Sequence, residues 1–180
     1  PDSKTIYFSS CTNAVHQLYA YSLNAKTNNL VKITNGLTDM GAISLAVDAK
    51  GTSLIATKTS MSRPAEIVKV DVLKGKIEQL TNTNDALFAG LKLGKIEKRM
   101  ISTSDNKEML TWVIYPPDFD PKKKYPTLLY CQGGPQSTIS QSFSFRWNFQ
   151  LMAANGYIIV APNRRGLPSF GQEWNDQISG

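Results

Sequence analysis

Histidine occurs once in these 180 residues, at His16, and cysteine twice, at Cys11 and Cys131. A single histidine cannot build a histidine-rich metal centre, and two cysteines in different halves of the chain match no metal-ligand spacing and read as free thiols. Neither a metal nor another cofactor is expected. Long hydrophobic runs are also missing. The longest are Ala42 to Val47, broken by Ser44, Leu128 to Cys131, and Tyr157 to Pro162. All fall far short of the roughly 18 residues of a helical membrane span. There is no Gly-x-Ser-x-Gly, the turn on which a serine nucleophile is usually carried. The first residue is Pro1, with no basic stretch and no apolar stretch behind it, so the chain is expected to start inside a larger protein. A single-signed charge field is absent too. The net charge of +6 divides into 9 basic against 7 acidic residues before Leu91 and 11 against 7 from there on. The one dense run, Lys122-Lys123-Lys124, lies in a Pro-rich connection and reads as a solvated loop, so no nucleic-acid partner is expected.

What is present is repetition. Thr5 to Ser9, Gln17 to Leu23 and Asn29 to Thr34 are rich in β-formers and separated by Asn, Thr and Gly turn residues. Ser53 to Thr57, Glu66 to Val72 and Lys76 to Thr81 follow in the same order, about 47 to 49 residues later. Ile33-Thr-Asn35 recurs as Leu80-Thr-Asn82, and Asp2-Ser-Lys as Asp48-Ala-Lys. A period in the forties with several strands per unit predicts β-propeller blades, with a two-sheet sandwich as the alternative. Two blades cannot close a ring, so more blades are expected elsewhere in a parent chain.

The pattern changes near Phe88 to Gly94. Lys95 to Thr103 and Leu110 to Tyr115 alternate as half-buried strands around the turn Ser104 to Lys107. From Thr127 the strands become continuously apolar, which predicts burial under helices on both faces of a parallel sheet, with Cys131 ending a buried strand. Phe143, Trp147, Leu151 and Ala154 recur at helical spacing and predict a helix over Phe143 to Asn155, stopped by Asn155-Gly156. Strand, strand, strand, glycine loop, helix and buried strand is the opening order of an α/β-hydrolase domain. The stretch Tyr125-Pro-Thr-Leu-Leu-Tyr-Cys-Gln-Gly-Gly-Pro-Gln-Ser137 is the form in which that fold builds the first half of its oxyanion hole.

Arg63-Pro-Ala-Glu66 with Gln79-Leu-Thr81, Tyr115 to Leu129, Gln132-Gly-Gly-Pro135, Trp147, Gly156 to Val160 and Asn163-Arg-Arg-Gly166 together resemble the prolyl oligopeptidase family of serine peptidases, in particular its dipeptidyl peptidase branch. The resemblance implies β-propeller blades followed by the N-terminal part of an α/β-hydrolase: residues 1–88 as the last blades, residues 89–180 as the start of the catalytic domain. It implies a serine exopeptidase parent acting on short peptides, with the rest of that parent chain and further copies of it as partners, in a periplasmic or extracellular compartment. The triad Ser, Asp and His is expected beyond Gly180. Family members carry Tyr or His at the position of Gln132, so the candidate catalytic residues are Gln132, through its carboxamide, and Gly133, through its backbone amide. Taken alone, Gly133-Gly134-Pro135 is equally a plain tight turn. Asn163 stands where an acidic residue is more usual, and Arg165 is expected to anchor loops. His16 is expected to be a surface or turn histidine and Ser169 a loop serine. A non-catalytic binding protein and an esterase of the same fold are the alternative functions.

Overall fold

A computed structural model describes residues 4–24, 26, 29–44, 51–134 and 136–178. Of the recurrence of Asp2-Ser-Lys as Asp48-Ala-Lys, all but Lys4 lies outside them. The repeated segments form repeated hairpins. β1 (Thr5–Thr12), β2 (Val15–Ser22) and β3 (Leu30–Lys32) make an antiparallel sheet in chain order. β5 (Ser53–Ser60), β6 (Arg63–Asp71) and β7 (Ile77–Gln79) repeat that order in a second sheet. The second sheet gains an edge strand that the sequence reading lacked, β4 (Asp39–Ser44), paired with β5 across a bulge between Gly41 and Ser44. Met40 and Ile43 of β4 pack with Leu18 and Ile33 of the first sheet and Leu54, Ala56, Val68 and Val70 of the second, so one apolar core joins the two sheets.

The third sheet has the order β10 (Thr127–Leu129), β11 (Ile158–Pro162), β9 (Glu108–Ile114), β8 (Ile96–Ser102). β10 and β11 run parallel and β9 is antiparallel to both its neighbours. A parallel pair needs a crossover, and here it carries helix α2 (Phe149–Ala154). Two short helices, α1 (Asp85–Phe88) and α3 (Gln172–Asp176), lie before β8 and after β11. The described residues hold no helix long and apolar enough to cross a membrane.

Three expectations are corrected. The helix expected over Phe143 to Asn155 begins only at Phe149. Ser144 Oγ accepts from Trp147 N (2.8 Å) and Asn148 Oδ1 from Leu151 N (2.9 Å), and these side-chain acceptors place the N-terminus six residues late. Its buried face is Phe149, Gln150 and Ala153, while Leu151 is exposed. The expected stop holds: Gly156, at φ +87, returns its amide to Ala153 O. Second, within these 180 residues β10 is exposed rather than buried and Cys131 lies exposed beyond it, β10 having β11 as its one strand neighbour among the described residues. Third, Leu110 to Ile114 are buried at every position rather than alternately, since β9 is a central strand, whereas its edge partner β8 is mostly exposed.

The covered face of the third sheet is also where the first two sheets dock. Asn13 and Ala14 form a two-residue hairpin turn at φ +51 and +60, the geometry that matches strand twist. The equivalent tip of the second sheet is Met61-Ser62. Ala14, Val15 and Met61 sit in one core with Leu110, Trp112, Ile114, Phe149 and Ile159. Gln150 fixes the junction: its Oε1 accepts from Gly94 N (2.7 Å), and its Nε2 donates to Gly94 O (2.9 Å) and Ser62 Oγ (2.8 Å).

Candidate active site

After Leu129, Tyr130 N still donates to Val160 O (2.9 Å), and the chain then leaves the sheet into the glycine loop. Gln132 is half-buried, and Gly133 and Gly134 are exposed. Gly134 sits at φ +122, where a side chain is strained, so this glycine is needed by the backbone itself. Gly133 is different. A Cβ built on it meets nothing within 4 Å, so the protein's own packing does not demand glycine there. Pro135 lies outside the described residues.

Both ends of the loop are held by the two residues that follow β11. Arg164 Nη2 donates to Gln132 O (3.3 Å) while Nη1 donates to Arg165 O (2.9 Å). Asn163, fully buried, accepts from Ile139 N at Oδ1 (2.9 Å) and donates to Ile139 O from Nδ2 (3.1 Å). The indole of Trp112 donates to the same carbonyl (2.8 Å). An aspartate could accept from Ile139 N but could not donate to Ile139 O, which gives the amide at position 163 a physical reason.

Between these fixed ends lies a cavity of about 180 Å³, walled by Tyr130, Gln132, Ser137, Ser140, Trp147 and Phe149. The Tyr130 ring meets Phe149 edge-on with centroids 4.9 Å apart. Gln132 lines this space, and its carboxamide makes no hydrogen bond among the described residues. Chemically the cavity offers backbone and amide donors beside an aromatic wall. It offers no base: the one histidine is elsewhere.

His16 is the surface residue expected, with its side chain 41% exposed, but it stands in a strand rather than a turn. It lies in β2, across from Cys11 in β1, with Nδ1 3.3 Å from Asp39 Oδ2, while its backbone amide donates to Asp39 Oδ1 (2.8 Å). The hydrogen bond to the buried Asp39 carboxylate, then that to Cys11, raises its pKa to about 10. It joins the first sheet to the second through Asp39 of β4.

Ser169 is a loop residue at φ +93; its carbonyl accepts from Asn13 N (2.9 Å) and its Oγ from Ala14 N (2.8 Å), which capture the strained hairpin tip of the first sheet. Arg165 pairs with Asp105 and lies 5.5 Å over the Trp174 ring, tying the β8–β9 turn to α3. That ion pair holds the Asp105 carboxyl down at about 2. Glu66 is likewise held at about 2, by Thr81 Oγ1 and by the Asn84 backbone and side-chain amides. The paired segments Arg63 to Glu66 and Gln79 to Thr81 thus meet in space. Arg164 and the aromatic wall of Trp147 and Phe149 were missed as site residues; Arg164 follows β11 directly, but nothing in sequence separation alone shows a guanidinium reaching Gln132.

The prolyl oligopeptidase family model matches residues 143–180. The dipeptidyl-peptidase 5 of Porphyromonas gingivalis is 47% identical over 180 residues, covering all of this chain and 25% of that protein. That of Porphyromonas endodontalis is 46% identical over 176 residues, 98% of this chain and again 25% of the relative. Among solved structures, Pyrococcus horikoshii acylaminoacyl peptidase superposes with a TM-score of 0.80 at 26% identity, over 97% of this chain and 26% of that one. The chain therefore spans about a quarter of the length of the relatives it matches.

Proposed function

From the premise that this chain belongs to the prolyl oligopeptidase family of serine peptidases, we propose that it is the part of a serine exopeptidase that joins two propeller blades to the oxyanion side of the catalytic domain. Residues 1–88 supply the blades and residues 89–180 the opening of an α/β-hydrolase. The parent removes short units from peptide N-termini through an acyl-enzyme, with nucleophile, acid and base supplied by chain outside these 180 residues.

One observation carries this reading. The glycine loop leaves the C-terminal end of β10, Gly133 is exposed with open space where a side chain would stand, and residues 163 and 164 hold both ends of the loop. An oxyanion donor works by being fixed before charge develops, and a peptide amide in a pinned loop meets that need without side-chain entropy to lose. The Gln132 carboxamide, with several rotatable bonds and no partner among the described residues, is the weaker donor. Tyr130, Trp147 and Phe149 form an apolar wall beside it, which suits a peptide side chain.

The test is turnover of dipeptidyl chromogenic substrates by the purified parent, with and without a fluorophosphonate. Sensitive turnover that requires a free substrate N-terminus supports the exopeptidase. Turnover of simple esters alone indicates an esterase, and no turnover of either indicates a binding protein. Residues 1–180 by themselves are expected to be inactive, since they lack both the Gly-x-Ser-x-Gly turn and a histidine near the loop.

A further inference from the structure

Gln132 C=O and Gly133 N–H belong to one planar trans peptide, so fixing the direction of the carbonyl fixes the amide on the opposite side. That peptide has little else to hold it. Gly133 is exposed, has no neighbour within 4 Å of where a Cβ would stand, and is followed by Gly134 at φ +122. Two successive glycines impose the smallest barrier that a chain can offer to rotation of the peptide before them. Among the described residues, the Gln132 carbonyl accepts from Arg164 Nη2, at 3.3 Å. The guanidinium is held in its turn through Nη1 on Arg165 O (2.9 Å), so a planar fork spans the strand end and the loop. The far end of the loop is independently fixed by Asn163 on Ile139.

We infer that Arg164 is a positioning residue for catalysis: by holding the Gln132 carbonyl it aims the Gly133 amide into the site and keeps the peptide from flipping. This rests on the reading of the loop as oxyanion-binding. The cation acts a second time through the same bond, because hydrogen bonding at a peptide oxygen polarises the amide and strengthens its N–H as a donor. Arg164 itself never touches the substrate. Its effect belongs to the transition state, in which the oxygen becomes charged, and hardly at all to the ground state.

Arg164→Ala and Arg164→Lys in the parent protein test this, with kcat, KM, thermal midpoint and affinity for a peptidyl boronate, a tetrahedral mimic, all read together. The expectation for Arg164→Ala is a fall in kcat of roughly 10- to 100-fold with KM within about twofold, and boronate affinity falling by a like factor. Arg164→Lys, a point donor that cannot span both carbonyls, should fall between the two. Wild-type kcat and boronate affinity in Arg164→Ala would overturn the inference, as would a loss of kcat accompanied by unchanged boronate affinity. If Arg164→Ala does not fold, Arg164→Lys decides: reduced boronate affinity at an unchanged thermal midpoint supports the role, and equality with wild type removes it. A parent that cleaves esters but not dipeptides defeats the exopeptidase reading while the same ratios, read on the ester, still judge Arg164. A dipeptidase indifferent to Arg164→Ala defeats Arg164 alone, and a parent that hydrolyses neither defeats both.

Discussion

Asn163 grips Ile139 from both sides, accepting from its amide at 2.9 Å and donating to its carbonyl at 3.1 Å, so a buried side chain takes the place of a strand neighbour. Both groups are buried, and a buried amide left without a partner costs about 1–3 kcal/mol. Asn163→Leu should therefore lower the unfolding free energy of the parent by about that amount, measured by denaturant titration. Asn163→Asp keeps an acceptor for Ile139 N but sets a buried carboxylate oxygen against Ile139 O, and at neutral pH should cost at least as much. An Asp variant as stable as wild type at neutral pH would mean that the donor to Ile139 O is not the group that matters.

Gly94 and Gly133 should respond in opposite ways to alanine. A Cβ on Gly94 would stand 1.9 Å from Tyr115 O, and the same residue is gripped on both polar groups by Gln150. Backbone cannot yield there as a flexible side chain could, so Gly94→Ala should destabilise by about 3 kcal/mol or prevent folding. Gly133→Ala meets open space and should leave the thermal midpoint unchanged while lowering kcat, because the methyl intrudes where substrate approaches the amide. Unchanged kcat in Gly133→Ala would place the substrate elsewhere.

The His16–Asp39 pair predicts a pH dependence with a definite sign. The folded pKa, about 10, lies above the ordinary value of 6.5, so the pair's stabilisation is fully present below pH 6.5 and is lost as pH rises through 10. Removing the largest cause, as in Asp39→Asn, should destabilise most at the acid end of that window and least at its alkaline end. Denaturation midpoints of wild type and variant between those limits measure it. Parallel curves would show that His16 keeps an ordinary pKa despite the contact.

Much of the fold was legible because it is written in local pattern. The two sets of three strands recur in the sequence, and β1-β2-β3 and β5-β6-β7 recur in the structure. Gly156 stops α2 where the sequence places the stop. The failures share a different cause. The start of α2 is decided by Ser144 and Asn148 capping backbone amides, which competes with the helical spacing of Phe143 and Trp147. The exposure of β10 is that of these 180 residues, in which β11 is its one strand neighbour among the described residues, and an apolar run carries no record of which neighbours accompany it. In the site, the glycine loop was readable from Gln132-Gly133-Gly134, but its support was not. Arg164 and Asn163 reach back 32 and 24 residues to hold it, and long-range contacts of this kind carry no local signature.

Gln132→Ala separates the side chain from the backbone as oxyanion donor. With the Gly133 amide as donor, the variant of the parent should keep most of its kcat. Deleting a true donor lowers kcat by roughly 100-fold or more. A loss of that size, with KM and thermal midpoint unchanged, would assign the role to the carboxamide.

The most direct measurement is a crystal structure of the parent protein trapped with a peptidyl phosphonate, whose phosphoryl oxygen marks the oxyanion position. The account predicts that oxygen within about 2.7–3.1 Å of Gly133 N, with the Gln132 carbonyl turned away onto Arg164. An oxygen held by the Gln132 carboxamide, with the Gly133 amide pointing out of the site, would contradict it.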